Sequence, residues 1–396
     1  MNREKKPFYI LPIIILSQFA GTSLWFAGNA VLPELKLLLD LPPGAIGNIT
    51  SAVQFGFISG TLTFAFLAIA DRFSPSRVFF FSALLGAFFN MGIYLFAGGF
   101  VSLLVFRFLT GFFLAGIYPV GMKISADWYA KDLGKALGFL VGALVLGKAF
   151  PYFLKFSAGS YPWYTIIYAT SAFAFFGGLL IILFVPDGPH RTRGSQFRPA
   201  AIVDIFRVKD FRSAAFGYFG HMWELYAFWA FVPVFLAAYQ EYSAGVAMDI
   251  PLWSSLIIGM GMLGCIAGGY LSLWVGSARV AFGMMLTSGV ACLFSPLSFF
   301  VPVWIFLPFL LIWGFAVVGD SAQFSTLVAR TAPKEYVGSA LTIVNCIGFS
   351  ITIFSIELLN AAAFFWSKQS MYVLLTVGPV FGMWAISRLL RRGGES

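Results

Sequence analysis

Apolar runs long enough to cross a bilayer as a helix, about 20 residues each, recur along this entire sequence. They fall at 8–32, 45–70, 78–98, 101–123, 134–157 and 163–186. After a polar stretch they resume at 213–238, 252–275, 280–299, 304–326, 338–360 and 371–389. The pattern reads as an all-α membrane protein with twelve transmembrane helices. Composition agrees, with 60% apolar and 10% charged residues against about 25% charged in ordinary globular domains. The first run continues past Asn29 without a cleavage site and precedes many more spans, so it is expected to be a spanning helix rather than a removed signal.

Lysine and arginine set the orientation. Of 25 cations, twenty gather on one side if the N-terminus is cytoplasmic, among them Arg3, Lys5 and Lys6, Lys123, Lys131 and Lys135, Arg191, Arg193 and Arg198, and Arg388, Arg391 and Arg392. The opposite loops hold Lys36, Lys155 and Lys368. A multi-pass protein of the inner, cytoplasmic membrane with both termini inside is therefore expected. The charged segment 187–212 divides the chain into bundles 1–186 and 213–396. Within it, Pro199 is placed to open a short helix with Ile202, Ile205 and Phe206 on one face, suited to the membrane surface.

The two halves repeat each other. At an offset of about 203, TGFFLAG (110–116) faces WGFAVVG (313–319), matching Gly111 to Gly314 and Gly116 to Gly319. KDLGKAL (131–137) faces KEYVGSAL (334–341), and DRFSPSRV (71–78) faces LWVGSARV (273–280). A parallel six-helix repeat places a pseudo-two-fold axis along the membrane normal and a solute site where the halves meet.

Here the chain resembles the major facilitator superfamily. Its loop motif G-x-L-a-D-R-x-G-R has a counterpart in LAIADRFSPSR (67–77), where Asp71, Arg72 and Arg77 match and the glycines do not. The second copy, GGYLSLWVGSAR (268–279), has Leu273 and Trp274 in place of Asp-Arg. The resemblance implies that Asp71, Arg72 and Arg77 latch the cytoplasmic side shut. Arg107 followed by Gly111 fits the family's R-x-x-x-G pattern, whereas GFLVGALVLGKAFP (138–151) fits the antiporter pattern of the fifth span poorly.

Ionisable residues inside a span are costly and mark function by default. At about 1.5 Å per residue, Lys148 and Glu224 lie near the midplane, Arg107 nearer the outer end and Asp320 nearer the inner one. Glu357 lies close to the outer boundary. Cations thus occupy the first half, and His221, Glu224 and Asp320 the second. In one reading Lys148 pairs with Glu224 and Arg107 fixes packing; in the other Arg107 or Lys148 receives an anionic solute, while Glu224, Asp320 or His221 carries a proton. Gln18, Thr22, Trp25 and Asn29 follow a helical stripe in the first span. Gln323 shares a face with Asp320, and Asn345 lies on a polar face with Thr342 and Thr352. These stripes are expected to line a cavity, the competing use being hydrogen bonds between helices. Cys265, Cys292 and Cys346 read as small packing residues.

No phosphate-binding G-x-x-x-x-G-K-[ST] is present, so neither ATP nor a cofactor is expected, and neither metal nor nucleic acid is implied. The lack of a nucleophile–base or zinc pattern argues against a membrane enzyme, and the two-fold repeat argues against a channel. The expected function is secondary active transport by alternating access, in a monomer whose partners are a small, anionic solute and protons. An efflux antiporter for amphipathic compounds is the alternative.

Overall fold

The computed structural model describes residues 7–96, 98–129, 133–191, 201–243 and 245–392. Arg3, Lys5, Lys6, Lys131, Arg193, Arg198 and Pro199, and the side chain of Lys135, lie outside the described residues. All regular structure among the described residues is helical. Eleven helices are long and apolar enough to span a membrane: α2 (Ala45–Phe66), α3 (Pro75–Leu95), α4 (Phe100–Trp128), α5 (Ala136–Ala158), α6 (Tyr164–Phe184), α7 (Lys209–Tyr242), α8 (Ile250–Val275), α9 (Ser277–Phe300), α10 (Val303–Thr331), α11 (Lys334–Phe365) and α12 (Met371–Arg391). A shorter apolar helix, α1 (Ile10–Thr22), precedes them.

The expected single rod at 8–32 is corrected by the structure. After α1 the chain turns through Ser23–Phe26, forms a helical turn at Ala27–Ala30, and continues as Leu32–Leu39 until Asp40 ends it in the left-handed region. The cause is local. Thr22 Oγ1 donates to the Gln18 carbonyl at 2.7 Å and Ser23 Oγ to that of Ala20 at 2.7 Å, and such back-bonding competes with the helix ladder and bends it.

Packing repeats between the halves. Helix α2 packs on α4 as α8 packs on α10; α1 packs on α5 and α6 as α7 packs on α11 and α12; α3 packs on α4 and α6 as α9 packs on α10 and α12. The halves meet chiefly through α2 with α11 and α5 with α8, and to a smaller extent through α2 with α7 and α5 with α10. The repeat extends to irregularities. Helix α4 is interrupted between Leu114 and Tyr118, around Gly116, while α10 is interrupted at Asp320, next to the matched Gly319.

The amphipathic helix Ala201–Arg207 packs against α7 and α11, with Ile205 buried and Phe206 against Phe211 and Phe216. Span ends run longer than apolar runs suggest: α4 reaches Trp128 and α10 reaches Thr331, because the final turns are amphipathic.

Helices approach each other closely at the matched glycines. A Cβ on Gly111 would stand 2.1 Å from the Val53 carbonyl oxygen, and one on Gly314 2.0 Å from that of Ile257. Backbone cannot yield as a flexible side chain does, so both crossings require glycine. Gly111→Val or Gly314→Val is predicted to cost about 1–3 kcal/mol or more by overpacking. Gly269→Ala, with nothing within 4 Å, is predicted to be neutral. Thermal melts in detergent read the difference.

Candidate functional site

The α1 break frees backbone carbonyls in the core, and Arg107 on α4 takes them. One guanidinium nitrogen, Nη1, donates to the Leu24 oxygen at 3.2 Å, and Nη2 donates to the Trp25 oxygen. The stem packs on Gly28, where a Cβ would stand 3.1 Å from the Arg107 Cδ. Arg107 is fully buried. It acts on the backbone of the turn that presents Trp25.

Trp25 forms one wall around Lys148 on α5. The ammonium lies 4.1 Å from the Trp25 ring centre, 4.2 Å from that of Tyr226 and 4.9 Å from that of Trp229, and it donates to the Tyr226 hydroxyl. Phe349 on α11 closes the group, 5.8 Å from Trp25 and 5.2 Å from Tyr226. Both halves therefore build one aromatic cage around a fully buried cation. Among the described residues, no carboxylate lies within ion-pair distance of Lys148. The indole N–H groups of Trp25 and Trp229 are buried without an acceptor.

Of the two readings of Lys148 and Glu224, the direct pair is not formed. Glu224 accepts from Ser288 Oγ at 2.8 Å, from Trp313 Nε1 at 2.7 Å and from Cys292 Sγ at 3.3 Å, all on α9 and α10. Helical geometry explains it: Glu224 and Tyr226 are two residues apart, about 200° around α7. With Tyr226 on the cage, Glu224 turns into its own half. Cys292 thus serves as a donor as well as filling space, as does Cys265, which donates to the Val318 carbonyl at 3.3 Å.

His221 and Asp320 come together. Nδ1 of His221 lies 2.8 Å from Asp320 Oδ1, and Nε2 lies 2.8 Å from Ser321 Oγ. Both residues are buried, and Asp320 stands at the α10 interruption. Beside them a small cavity of about 50 Å³ opens between the halves, lined by His221, Ser321, Asn345, Tyr226, Trp229 and Phe349 among others. Asn345 accepts from the Tyr218 hydroxyl at 2.9 Å.

The other stripe residues go elsewhere. Gln18 lies against Gly121, Thr22 against Gly147, and Asn29 donates to Thr50 Oγ1 at 2.7 Å. Gln323 is buried in α10 and is not among the cavity-lining residues. Asp71 pairs with Lys123 at the end of α4, in the same half. Arg72 and Arg77 line a surface pocket with Asp187 and Arg191, the last two ion-paired. Opposite the termini, α2 and α11 are joined where Ser51 Oγ donates to Glu357 at 2.7 Å, and Asn360 packs on Gly44 and Gly47. Nearby, burial and the proximity of Lys368 push the Lys36 ammonium below its ordinary value. Tyr226 and Trp229 were missed in the sequence; their three-residue spacing on the seventh span places them on one helix face.

Residues 13–356 match the Major Facilitator Superfamily. An uncharacterized protein of Campylobacter jejuni is 27% identical over 294 residues, covering 71% of this chain and 86% of its own. Among solved structures, the nucleoside transporter NupG superposes with a TM-score of 0.72 at 14% identity, covering 96% of this chain and 99% of that one. A bacterial homologue of the human lysosomal transporter Spinster, inward-facing and unoccupied, gives 0.67 at 15% identity, covering 99% and 98%. At these identities the structural likenesses establish the fold.

Replacing Arg107 with Leu is predicted to leave the Leu24 and Trp25 carbonyls without their donor. Unsatisfied buried polar groups cost about 1–3 kcal/mol each, so the melting temperature falls in the absence of any solute. An unchanged melt with lost transport would instead make Arg107 a cargo ligand.

Proposed function

The chain belongs to the major facilitator superfamily of secondary transporters, and on that premise we propose that it moves a small anionic solute with Lys148 as the anion's anchor. The observation that carries this reading is a buried ammonium shared by both halves, caged by aromatic rings and, among the described residues, lacking a carboxylate partner. Cation–π contact offsets part of the cost of desolvation, but an anion entering from the cavity completes the charge balance. Because Trp25 and Lys148 belong to one half and Tyr226 and Trp229 to the other, an anion held there couples binding to the relation between the halves.

His221 and Asp320 form the proton site in this proposal. They are linked to each other, His221 and Ser321 line the cavity, and Asp320 sits at a helix interruption. Glu224, enclosed by three donors within its own half, ties α7 to α9 and α10 in this reading. The bundles 1–186 and 213–396, with both termini in the cytoplasm and the protein acting as a monomer, are the bodies that rock. Asp71, Arg72 and Arg77 form the cytoplasmic latch. Arg107, Gln18, Thr22 and Asn29 shape the α1 region, and Asn345 with Gln323 belongs to the polar wall of the second half.

Transport in proteoliposomes tests the assignment. Lys148→Met is expected to lose counterflow by about ten- to a hundredfold, the equivalent of a charge-assisted hydrogen bond of about 1.5–3 kcal/mol, while retaining the wild-type melt. Asp320→Asn is expected to abolish lumenal pH changes during uptake, and Glu224→Gln to leave them. Undiminished counterflow in Lys148→Met removes the anchor; pH changes that survive Asp320→Asn remove the proton site.

A further inference from the structure

Resting on the anion reading above, we infer that the cargo is a monocarboxylate with an apolar body. Three features of the site combine to this end. The first is charge. Lys148 is the one cation in the cage, Arg107 is committed to the Leu24 and Trp25 carbonyls, and His221 is bound to Asp320 and Ser321. Among the described residues, no lysine or arginine lines the cavity itself. A second negative charge would be desolvated without a counter-charge, which costs several kcal/mol per ion.

The second is the donor set. The Lys148 ammonium, the Tyr226 hydroxyl and the unpartnered indole N–H groups of Trp25 and Trp229 belong to one cage. An ionised carboxylate accepts only, through two oxygens with about four lone-pair sites, so its capacity matches these donors. A neutral amide brings two N–H donors of its own, for which the cage supplies little acceptance.

The third is the wall. Beyond the cage one side of the cavity is faced by Val141, Leu144, Met222, Leu225 and Val318, and the rest by Tyr118, Tyr218, His221, Ser321, Ser325 and Asn345. An apolar body on the aliphatic side gains about 25 cal/mol for each Å² it removes from water. A small hydrophilic acid leaves this surface unused.

The test is a thermal-shift series on the purified full-length protein in detergent at millimolar ligand. The probes are phenylacetate and isovalerate, succinate and inorganic phosphate, and phenylacetamide as the uncharged match to the first. Binding to the folded state raises the melting temperature. The inference expects a shift from phenylacetate or isovalerate that is lost in Lys148→Met, and none from the others. Lys148→Arg, which keeps the charge, is expected to recover part of the shift, and so separates loss of charge from loss of fold.

A Lys148-dependent shift from succinate or phosphate as large as from the monocarboxylates overturns this inference and leaves the anion reading intact. An equal shift from phenylacetamide, or a monocarboxylate shift retained in Lys148→Met, overturns both. No shift from either monocarboxylate overturns the inference alone, since counterflow through Lys148 is measured independently.

Discussion

A buried ammonium without a carboxylate beside it is the constraint on which the rest of this molecule depends. Taking a charge from water into the membrane interior costs several kcal/mol, and Lys148 is fully buried on α5. The protein answers with polarisable faces rather than with an opposite charge: Trp25, Tyr226 and Trp229 stand within 5 Å of the ammonium by ring centre. Such a cage stabilises the cation without neutralising it, which is what the proposed anion anchor requires. An internal Lys–Glu pair would have closed that possibility.

Much of the architecture serves the cage. Trp25 is presented by a turn instead of a helix, and the turn exists because Thr22 and Ser23 bond back to α1 while Arg107 satisfies the released carbonyls. Tyr226 and Trp229 are presented by α7, which is continuous across the corresponding region. The broken first helix and the unbroken seventh thus supply the two sides of one site from a repeated bundle. Symmetry governs the scaffold, and its departures place the chemistry. The interruption at Asp320 acts alike: the matched position in α4 holds apolar Ile117, while in α10 it holds a carboxylate that reaches His221.

The scaffold was readable in the sequence because membrane physics writes it in bulk signals. Twenty-residue apolar runs, the charge bias of loops and the matched Gly111 and Gly314 each depend on few residues acting together locally. The site was readable in part. Lys148 and Asp320 announced themselves by cost alone. Partner choice did not, because it depends on helix rotation: Glu224 and Tyr226 differ by about 200° around α7, and no local pattern says which one faces the other half. The break after Thr22 was hidden for a related reason, since an apolar run looks the same whether straight or bent, and the donor that permits the bend is 82 residues from the Trp25 carbonyl it satisfies.

An experimentally determined structure with cargo bound tests the central claim most directly. The account predicts the anionic group of the cargo within hydrogen-bond distance of Lys148 Nζ, flanked by the indoles of Trp25 and Trp229, with Glu224 still held by Ser288 and Trp313. Cargo whose negative group rests on Arg107 instead, or Lys148 paired with a protein carboxylate while cargo is bound elsewhere, would contradict it.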